Sequence, residues 1–287
     1  MHEAGELIRA AREAVINLSL IGKSTAHVLR QRQRASRPLA RGPLTFVVGS
    51  PRSGTTFIAG ALAEGTGSVD LGEVAALKRQ IPELLELPEE QRERRITRAI
   101  EAVRWLSLAA GRGAIEQTPE TSFVLGSVLA AYPDARALHM LRDGRDVVCS
   151  LLERGWLSAD RHGRDDAGRA YGSHARFWVE DDRREEFLEA SEATRCAWAW
   201  RRYVEAVRVV GERTIELRYE HLTADPEGAA ETVAPVLEAD PAPLAAAFAK
   251  AHDESVGRWQ RDLTPAQVRD VEREAGALLR ELGYVAA

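Results

Sequence analysis

A nearly continuous apolar run, Leu44-Thr45-Phe46-Val47-Val48, ends at Gly49 and leads into a turn rich in small residues. The run has no sustained polar face, and it therefore predicts a strand buried on both sides of a parallel sheet. A helix is expected directly after the turn, over residues 55–63. This strand, turn and helix unit indicates an α/β architecture.

Three further segments have the composition of short strands, and a helical pattern follows each of them. They are Ala114–Glu116, residues 137–141 and Thr214–Arg218. Longer helical patterns occupy residues 83–108 and 193–210. Strands that alternate with helices predict a three-layer α/β fold in which helices flank a central parallel sheet.

The amino-terminal region and one internal segment depart from this alternation. Residues 1–40 predict a helix followed by a linker that contains the basic run Arg30-Gln31-Arg32-Gln33-Arg34. The helix is expected to pack with its basic end solvated; a helix lying on an anionic membrane or a partner is the alternative. Residues 41–287 then predict a single α/β domain, with a helical insertion or lid at about 156–190.

Composition limits the possible partners and compartments. The 39 basic and 44 acidic residues give a net charge of -5, which lacks the positive field that non-specific nucleic-acid binding needs. The two cysteines, Cys149 and Cys196, are too few for a disulfide framework or a four-thiolate zinc site. We therefore expect a cytoplasmic protein without nucleic-acid partners. No metal-binding motif, signal peptide or transmembrane span is recognised, and metal-free chemistry is predicted.

The turn after the first strand has the composition of an anion-binding site. It reads Gly49-Ser50-Pro51-Arg52-Ser53-Gly54-Thr55-Thr56. Glycines let the main chain approach a ligand, and a helix amino terminus offers unpaired amides. In the nucleotide-triphosphate pattern GxxxxGK[ST], lysine would occupy the position of Thr55. Its absence argues against an ordinary ATP or GTP kinase and favours a shorter 5′ anionic chain. A plain strand-to-helix turn is the alternative.

A second candidate segment follows the strand at 137–141. It reads Arg142-Asp143-Gly144-Arg145-Asp146-Val147-Val148-Cys149-Ser150. An arginine at the strand end and a hydroxyl two turns into the next helix can hold one further phosphate, because guanidinium bonds phosphate in a bidentate manner. A surface network of Arg and Asp is the alternative.

Together the two segments resemble the sulfotransferase superfamily, and their motifs are similar to those of its bacterial and tyrosylprotein members. The superfamily donor is 3′-phosphoadenosine 5′-phosphosulfate (PAPS), and the resemblance implies a P-loop-like fold over about residues 44–285. It implies that the first loop binds the 5′-phosphosulfate and the second segment the 3′-phosphate. The residues implied at the 5′ end are Arg52, Ser53, Gly54, Thr55 and Thr56, and those implied at the 3′ end are Arg142 and Ser150.

Two weaker similarities lie further along the chain. Tyr219, in Arg218-Tyr219-Glu220-His221-Leu222, matches a family tyrosine that lies near the nucleotide. Ser255-Val256-Gly257-Arg258-Trp259 resembles a loop that closes over the donor, and this implies donor contacts for Ser255 and Arg258. Each piece alone is nonspecific, because such aromatic residues are also ordinary core residues.

The resemblance also suggests the catalytic groups. Glu73 follows the first loop-helix unit, as does the general base of tyrosylprotein sulfotransferases; a solvent-facing glutamate at a helix start is the alternative. Gln117 departs from the family, because related enzymes usually carry lysine there to stabilise the departing phosphate. Arg52 could supply the missing charge and is therefore also a catalytic candidate.

Three functions follow as hypotheses. The leading one is a PAPS-dependent sulfotransferase that acts on a hydroxyl or amine of a small-molecule, glycan, lipid or peptide acceptor. The second is a P-loop phosphotransferase acting on a nucleotide or small metabolite. The third is a non-catalytic protein that binds PAPS or another nucleotide, and Gln117 is its main support.

Overall fold

The computed structural model describes residues 2–34, 42–158 and 179–285, and these ranges contain thirteen α-helices and five strands. The strands are β1 Leu44–Val48, β2 Val69–Gly72, β3 Ala114–Glu116, β4 Arg136–Leu141 and β5 Thr214–Arg218. The helices are α1 His2–Arg34, α2 Thr55–Thr66, α3 Ala75–Leu85, α4 Glu89–Leu106, α5 Leu125–Ala131, α6 Gly144–Arg154, α7 Arg184–Glu189, α8 Glu192–Arg208, α9 Tyr219–Ala224, α10 Pro226–Leu237, α11 Pro241–Phe248, α12 Trp259–Asp262 and α13 Pro265–Glu281.

The five strands form one parallel sheet in the order β2-β3-β1-β4-β5. The central strand β1 pairs with β3 on one side, where Phe46 is opposite Glu116, and with β4 on the other, where Val48 is opposite His139. Since all strands run in one direction, their carboxyl ends meet at a single edge of the sheet. The predicted α/β fold with a central parallel sheet is confirmed.

Helices cover both faces of the sheet, and β1 shows how its residues are divided between them. Phe46 and Val48 pack on one side, in a cluster with residues of α3, α4 and α5. Val47 points the other way, into a cluster that contains Ile58 and Leu62 of α2 together with residues of α9, α10 and α11. All five residues of β1 are buried, as expected for a central parallel strand.

Two elements differ from the sequence expectations. The strand β2 was not predicted, because its four residues include Asp70 and Gly72 and so lack an apolar run. Residues 83–108 do not form one helix: α3 ends at Leu85, and α4 starts after Pro88. Proline disfavours helical geometry in the residue that precedes it, which explains the break between the two helices.

The amino-terminal helix α1 packs against the rest of the molecule rather than standing free. Val28 is fully buried in the cluster that also contains residues of β2, α3 and α4. Residues 35–41 of the expected linker, and residues 159–178 of the expected insertion, lie outside the described residues. The division at residue 40 and the insertion at 156–190 therefore stay predictions. No helix within the described ranges has the length and apolar character to cross a membrane.

A close approach between α6 and α8 gives a test of the packing. A β-carbon added to Gly144 would lie 2.7 Å from the indole of Trp200, whose side chain is fully buried and donates through Nε1 to the Arg142 carbonyl at 3.1 Å. We expect Gly144→Ala to lower the free energy of unfolding by about 1–3 kcal/mol, since overpacking displaces the ring. Urea unfolding checks this value.

The matched control is Gly60→Ala in the interior of α2, where an added β-carbon has nothing within 4 Å. This change should raise the free energy of unfolding by about 0.5–1 kcal/mol, because alanine restricts the unfolded chain. Equal effects of the two substitutions would contradict the packing described for α6 on α8.

Candidate functional site

All five strands end at one edge of the sheet, and a candidate residue or segment follows each of them. The loop of residues 49–56 follows β1, Glu73 follows β2, and Gln117 follows β3. Arg142 follows β4, and Tyr219 follows β5. Ligands of open α/β sheets bind outside the carboxyl ends of strands, where connections leave the central strand in opposite directions. The sheet therefore brings segments that are far apart in sequence to one edge.

The loop after β1 presents its backbone to the space above the sheet. Arg52 and Gly54 have φ values of 73° and 97°, so the chain bends sharply before α2 begins at Thr55. Neither a side-chain cap nor an acidic residue occupies the start of α2, which leaves its first amides open to an anion. Within this loop the side chains of Ser53 and Thr55 are buried, whereas Thr56 is exposed.

Tyr219, at the carboxyl end of β5, packs against this loop. A β-carbon on Gly54 would lie 2.8 Å from the tyrosine ring, so only glycine fits this contact. The Tyr219 hydroxyl donates to the carbonyl of His252 at 2.7 Å. The ring thus joins the loop after β1 to the segment that precedes the carboxyl-terminal loop of residues 255–259.

Arg142 directly connects the two segments that the sequence predicts to bind anions. Its Nη1 donates to the Arg52 carbonyl at 3.3 Å and its Nη2 to the Ser255 carbonyl at 2.5 Å. The guanidinium also lies 4.8 Å from the ring centroid of Tyr219. In the other direction, Arg52 Nε donates to Ser150 Oγ at 2.9 Å. Residues predicted to hold opposite ends of one ligand are therefore neighbours.

The electrostatics of this cluster favour an anion. Burial, together with the nearby Arg154 and Arg142, lowers the pKa of Arg52, and Glu153 only partly opposes this effect. Crowded guanidinium groups repel one another, and a bound anion relieves that repulsion. Among the described residues, two buried polar atoms of the cluster, Ser53 Oγ and Arg142 Nε, have no hydrogen-bond partner. Both atoms therefore keep an unused hydrogen-bonding capacity.

The loop of residues 255–259 is held over the cluster by Asp146. Its carboxylate accepts from the Gly257 amide at 2.7 Å and from the Trp259 amide at 2.9 Å. Burial raises the pKa of Asp146, while these two amides act in the opposite direction. Arg258 of the same loop pairs with Glu153 and with Asp262. The sequence analysis assigned no role to Asp146, although it lies within the second motif.

Glu73 makes contacts of a different kind. It is exposed at the end of β2, and its Oε2 lies 2.7 Å from Nζ of Lys78, one turn into α3. The same ammonium group lies 3.4 Å from the buried carboxylate of Glu120. Lys78 was missed by the sequence analysis, yet a signal existed: only three of the 39 basic residues are lysines.

The end of β3 lies between the end of β2, which carries Glu73, and the end of β1, which carries the loop of residues 49–56. The backbone N–H of Gln117 donates to the Gly72 carbonyl at 3.1 Å, and the Gln117 side chain is buried. The carboxylate of Glu116 accepts from the amide of Thr118 at 3.0 Å and from the hydroxyls of Thr118 and Thr121. This network fixes the strand end. Residues 2–34, 42–158 and 179–285 hold no cluster of three metal-ligating side chains.

The buried carboxyl of Glu116 predicts a pH-dependent stability. Burial raises its pKa to about 7, although hydrogen bonds from Thr118 and Thr121 favour the charged form. As the pH rises, the unfolded chain loses this proton near its ordinary pKa of 4.5, whereas the folded protein keeps it until about pH 7. The stabilising contribution is present below about pH 4.5 and is lost as the pH rises through about 7.

We expect Glu116→Gln, which keeps an acceptor but cannot ionise, to remove this loss. The free energy of unfolding of the variant minus that of the native protein should rise by about 1 kcal/mol per pH unit between pH 5 and 7. Urea unfolding at several pH values measures the trend. The exposed Glu90→Gln is the matched exchange of carboxyl for amide. A Glu116→Gln difference that does not change with pH would show that the native carboxyl is already ionised.

A protein-family model matches the part of the chain that contains β4 and β5. The model of a family described as the sulfotransferase family matches residues 96–241, just over half of the chain. The matched part contains Arg142 and Tyr219. Glu73 and the loop of residues 49–56 precede the matched part in the sequence. No curated protein matches the chain.

Several solved structures share the fold at low sequence identity. Sulfotransferase STF1 from Mycobacterium tuberculosis H37Rv has a TM-score of 0.52 and 16% identity, over 88% of this chain and 81% of that chain. The sulfotransferase domain from the curacin biosynthetic pathway has a TM-score of 0.51 and 13% identity, over 84% and 98%. STF9 from Mycobacterium avium has a TM-score of 0.50 and 13% identity, over 94% and 84%. Because the family model matches just over half of the residues, the chain belongs to the sulfotransferase family.

Proposed function

We propose that this chain is a PAPS-dependent sulfotransferase, which transfers a sulfuryl group to a hydroxyl or amine acceptor. One observation carries the proposal: the guanidinium of Arg142 donates to the carbonyl of Arg52, so the two segments that we assign to anion binding are in direct contact. A ligand with two separate anionic groups suits such a site better than a single phosphate does.

The residues present fit PAPS. The open amides at the start of α2 and the unpartnered hydroxyl of buried Ser53 suit the 5′-phosphosulfate. Arg142 and Ser150 suit the 3′-phosphate, and Arg142 Nε is buried without a partner within the described part of the chain. The remaining residues that we assign to donor binding are Arg52, Gly54, Thr55, Thr56, Tyr219, Ser255 and Arg258.

The chain's own groups then divide the chemistry. Bound PAPS supplies the sulfuryl group, and the sulfur–oxygen bond to its 5′-phosphate breaks as a bond to the acceptor oxygen or nitrogen forms. Glu73 takes the acceptor proton on its carboxylate, which is exposed at the end of β2. Arg52 stabilises the charge that develops on the departing phosphate, since Gln117 offers only neutral hydrogen bonds. No metal ion is needed for these steps.

The proposal extends to the class of acceptor and to the cellular compartment. The acceptor is a small molecule, glycan, lipid or peptide that brings a hydroxyl or amine to Glu73, and no nucleic-acid partner is proposed. Cys149 and Cys196 are both buried free thiols, and burial raises the pKa of the Cys149 thiol to about 12. Unreactive, unpaired thiols are compatible with a reducing cytoplasm.

Donor binding is tested with 3′,5′-adenosine bisphosphate, the product nucleotide. Arg142→Ala should weaken its affinity by about ten- to hundred-fold, because hydrogen bonds to charged groups contribute about 1.5–3 kcal/mol. Isothermal titration calorimetry measures the affinity. Arg95→Ala, which removes an exposed arginine paired with Glu83 on the surface, is the matched control and should leave it unchanged. Magnesium-dependent ATP turnover without binding of the bisphosphate would instead indicate a phosphotransferase.

The general base is tested with Glu73→Gln. Loss of the proton acceptor should lower kcat by about 10²- to 10⁴-fold while the affinity for 3′,5′-adenosine bisphosphate stays the same. Transfer from sulfur-labelled PAPS to an acceptor panel measures the rate. Glu64→Gln is the control, since Glu64 is also an exposed glutamate paired with a lysine, Lys250. Full transfer by Glu73→Gln would remove Glu73 from the mechanism, and donor binding without transfer by the native chain would indicate a non-catalytic protein.

A further inference from the structure

The backbone around Glu73 is fixed by hydrogen bonds from other elements. Ser24, in the middle of α1, donates to the Glu73 carbonyl at 3.3 Å and accepts from the Ala75 amide at 3.0 Å. From the other side, Thr118 Oγ1 accepts from the Val74 amide at 3.0 Å. Three successive residues at the start of α3 are thus each bonded to a hydroxyl from a distant part of the chain.

The helix α3 cannot supply this contact itself. Its N-cap residue is Val74, which has no side-chain acceptor, and no side-chain cap is present. The first amides of a helix need a partner, and serine is among the residues that usually provide one. Ser24 does so from another helix, and it is almost completely buried, with 3% exposure. The start of α3 is therefore capped by α1.

Other contacts hold α1 on both sides of this cap. Glu13 accepts from both terminal nitrogens of Arg79 on α3, at 2.7 and 3.1 Å. The ring of His27 lies against Gly72, where an added β-carbon would be 2.8 Å from Nε2. These contacts fall before and after Glu73 in sequence, so α1 holds the whole β2–α3 turn.

We infer that α1 is a positioning element of the active site, and that Ser24 is its positioning residue: its hydroxyl caps α3 and sets the backbone of Glu73. This inference rests on the proposed function for Glu73 as the base. The Glu73 side chain is exposed, so its direction depends on the backbone and on Lys78. A small displacement of a base lowers the rate strongly, because proton transfer requires hydrogen-bonding distance.

The test compares Ser24→Ala with Ser24→Thr, which keeps the hydroxyl. Ser19→Ala is the matched control, since Ser19 is exposed on the same helix. Hydrogen exchange of the peptide covering residues 74–79 should become roughly five- to thirty-fold faster in Ser24→Ala, as expected for a lost cap. In the transfer assay, kcat should fall while the affinity for 3′,5′-adenosine bisphosphate stays unchanged. Ser24→Thr should restore both properties, and Ser19→Ala should alter neither.

The inference is overturned if Ser24→Ala exchanges at the native rate, or if kcat is unchanged. It is also overturned if donor affinity and overall stability fall together with kcat, because α1 would then have a general structural role. Failure of the proposed function is a separate result: the native chain would transfer no sulfuryl group to any acceptor. The exchange measurement still tests the cap in that case.

Discussion

The candidate site depends on a buried arginine at the end of a central strand. A buried guanidinium needs several acceptors, because an unpaired charge away from water is strongly destabilising. Arg142 finds them in the carbonyls of Arg52 and Ser255, and the ring of Tyr219 lies beside it. One side chain thus draws together the loop after β1, the end of β4 and the carboxyl-terminal loop.

The neighbouring residues keep this charge in place. Trp200 donates to the Arg142 carbonyl, and Gly144 allows the indole to approach α6 closely. Asp146 binds two amides of the carboxyl-terminal loop, so the loop that supplies the Ser255 carbonyl is itself fixed from α6. The second motif therefore fixes the carboxyl-terminal loop and also contributes residues to the candidate site.

The central part of this arrangement could be predicted from the sequence, because the two strands that lead into the motifs, β1 and β4, are mainly apolar. The loop after β1 and the segment from Arg142 to Ser150 are continuous motifs, and the parallel sheet brings them to one edge. The contacts of Lys78 with Glu73 and of Ser24 with Ala75 were not predicted. The first depends on where α3 starts after β2, a strand without an apolar run. The second joins residues 51 positions apart, which no local pattern relates.

The neutral Gln117 changes how charge is distributed around the proposed reaction. The backbone N–H of Gln117 donates to the Gly72 carbonyl, so the end of β3 supports the turn that carries Glu73. The neutral Gln117 side chain adds no positive charge there. The positive charges lie on either side instead: Arg52 stands in the loop after β1, and Lys78 lies on α3 between the carboxylates of Glu73 and Glu120. Lys78 is paired with these carboxylates, whereas the pKa of Arg52 is lowered by burial and by neighbouring arginines. An incoming anion would therefore favour the charged form of Arg52, and we expect charge stabilisation in the proposed reaction to centre on the loop after β1 rather than on β3.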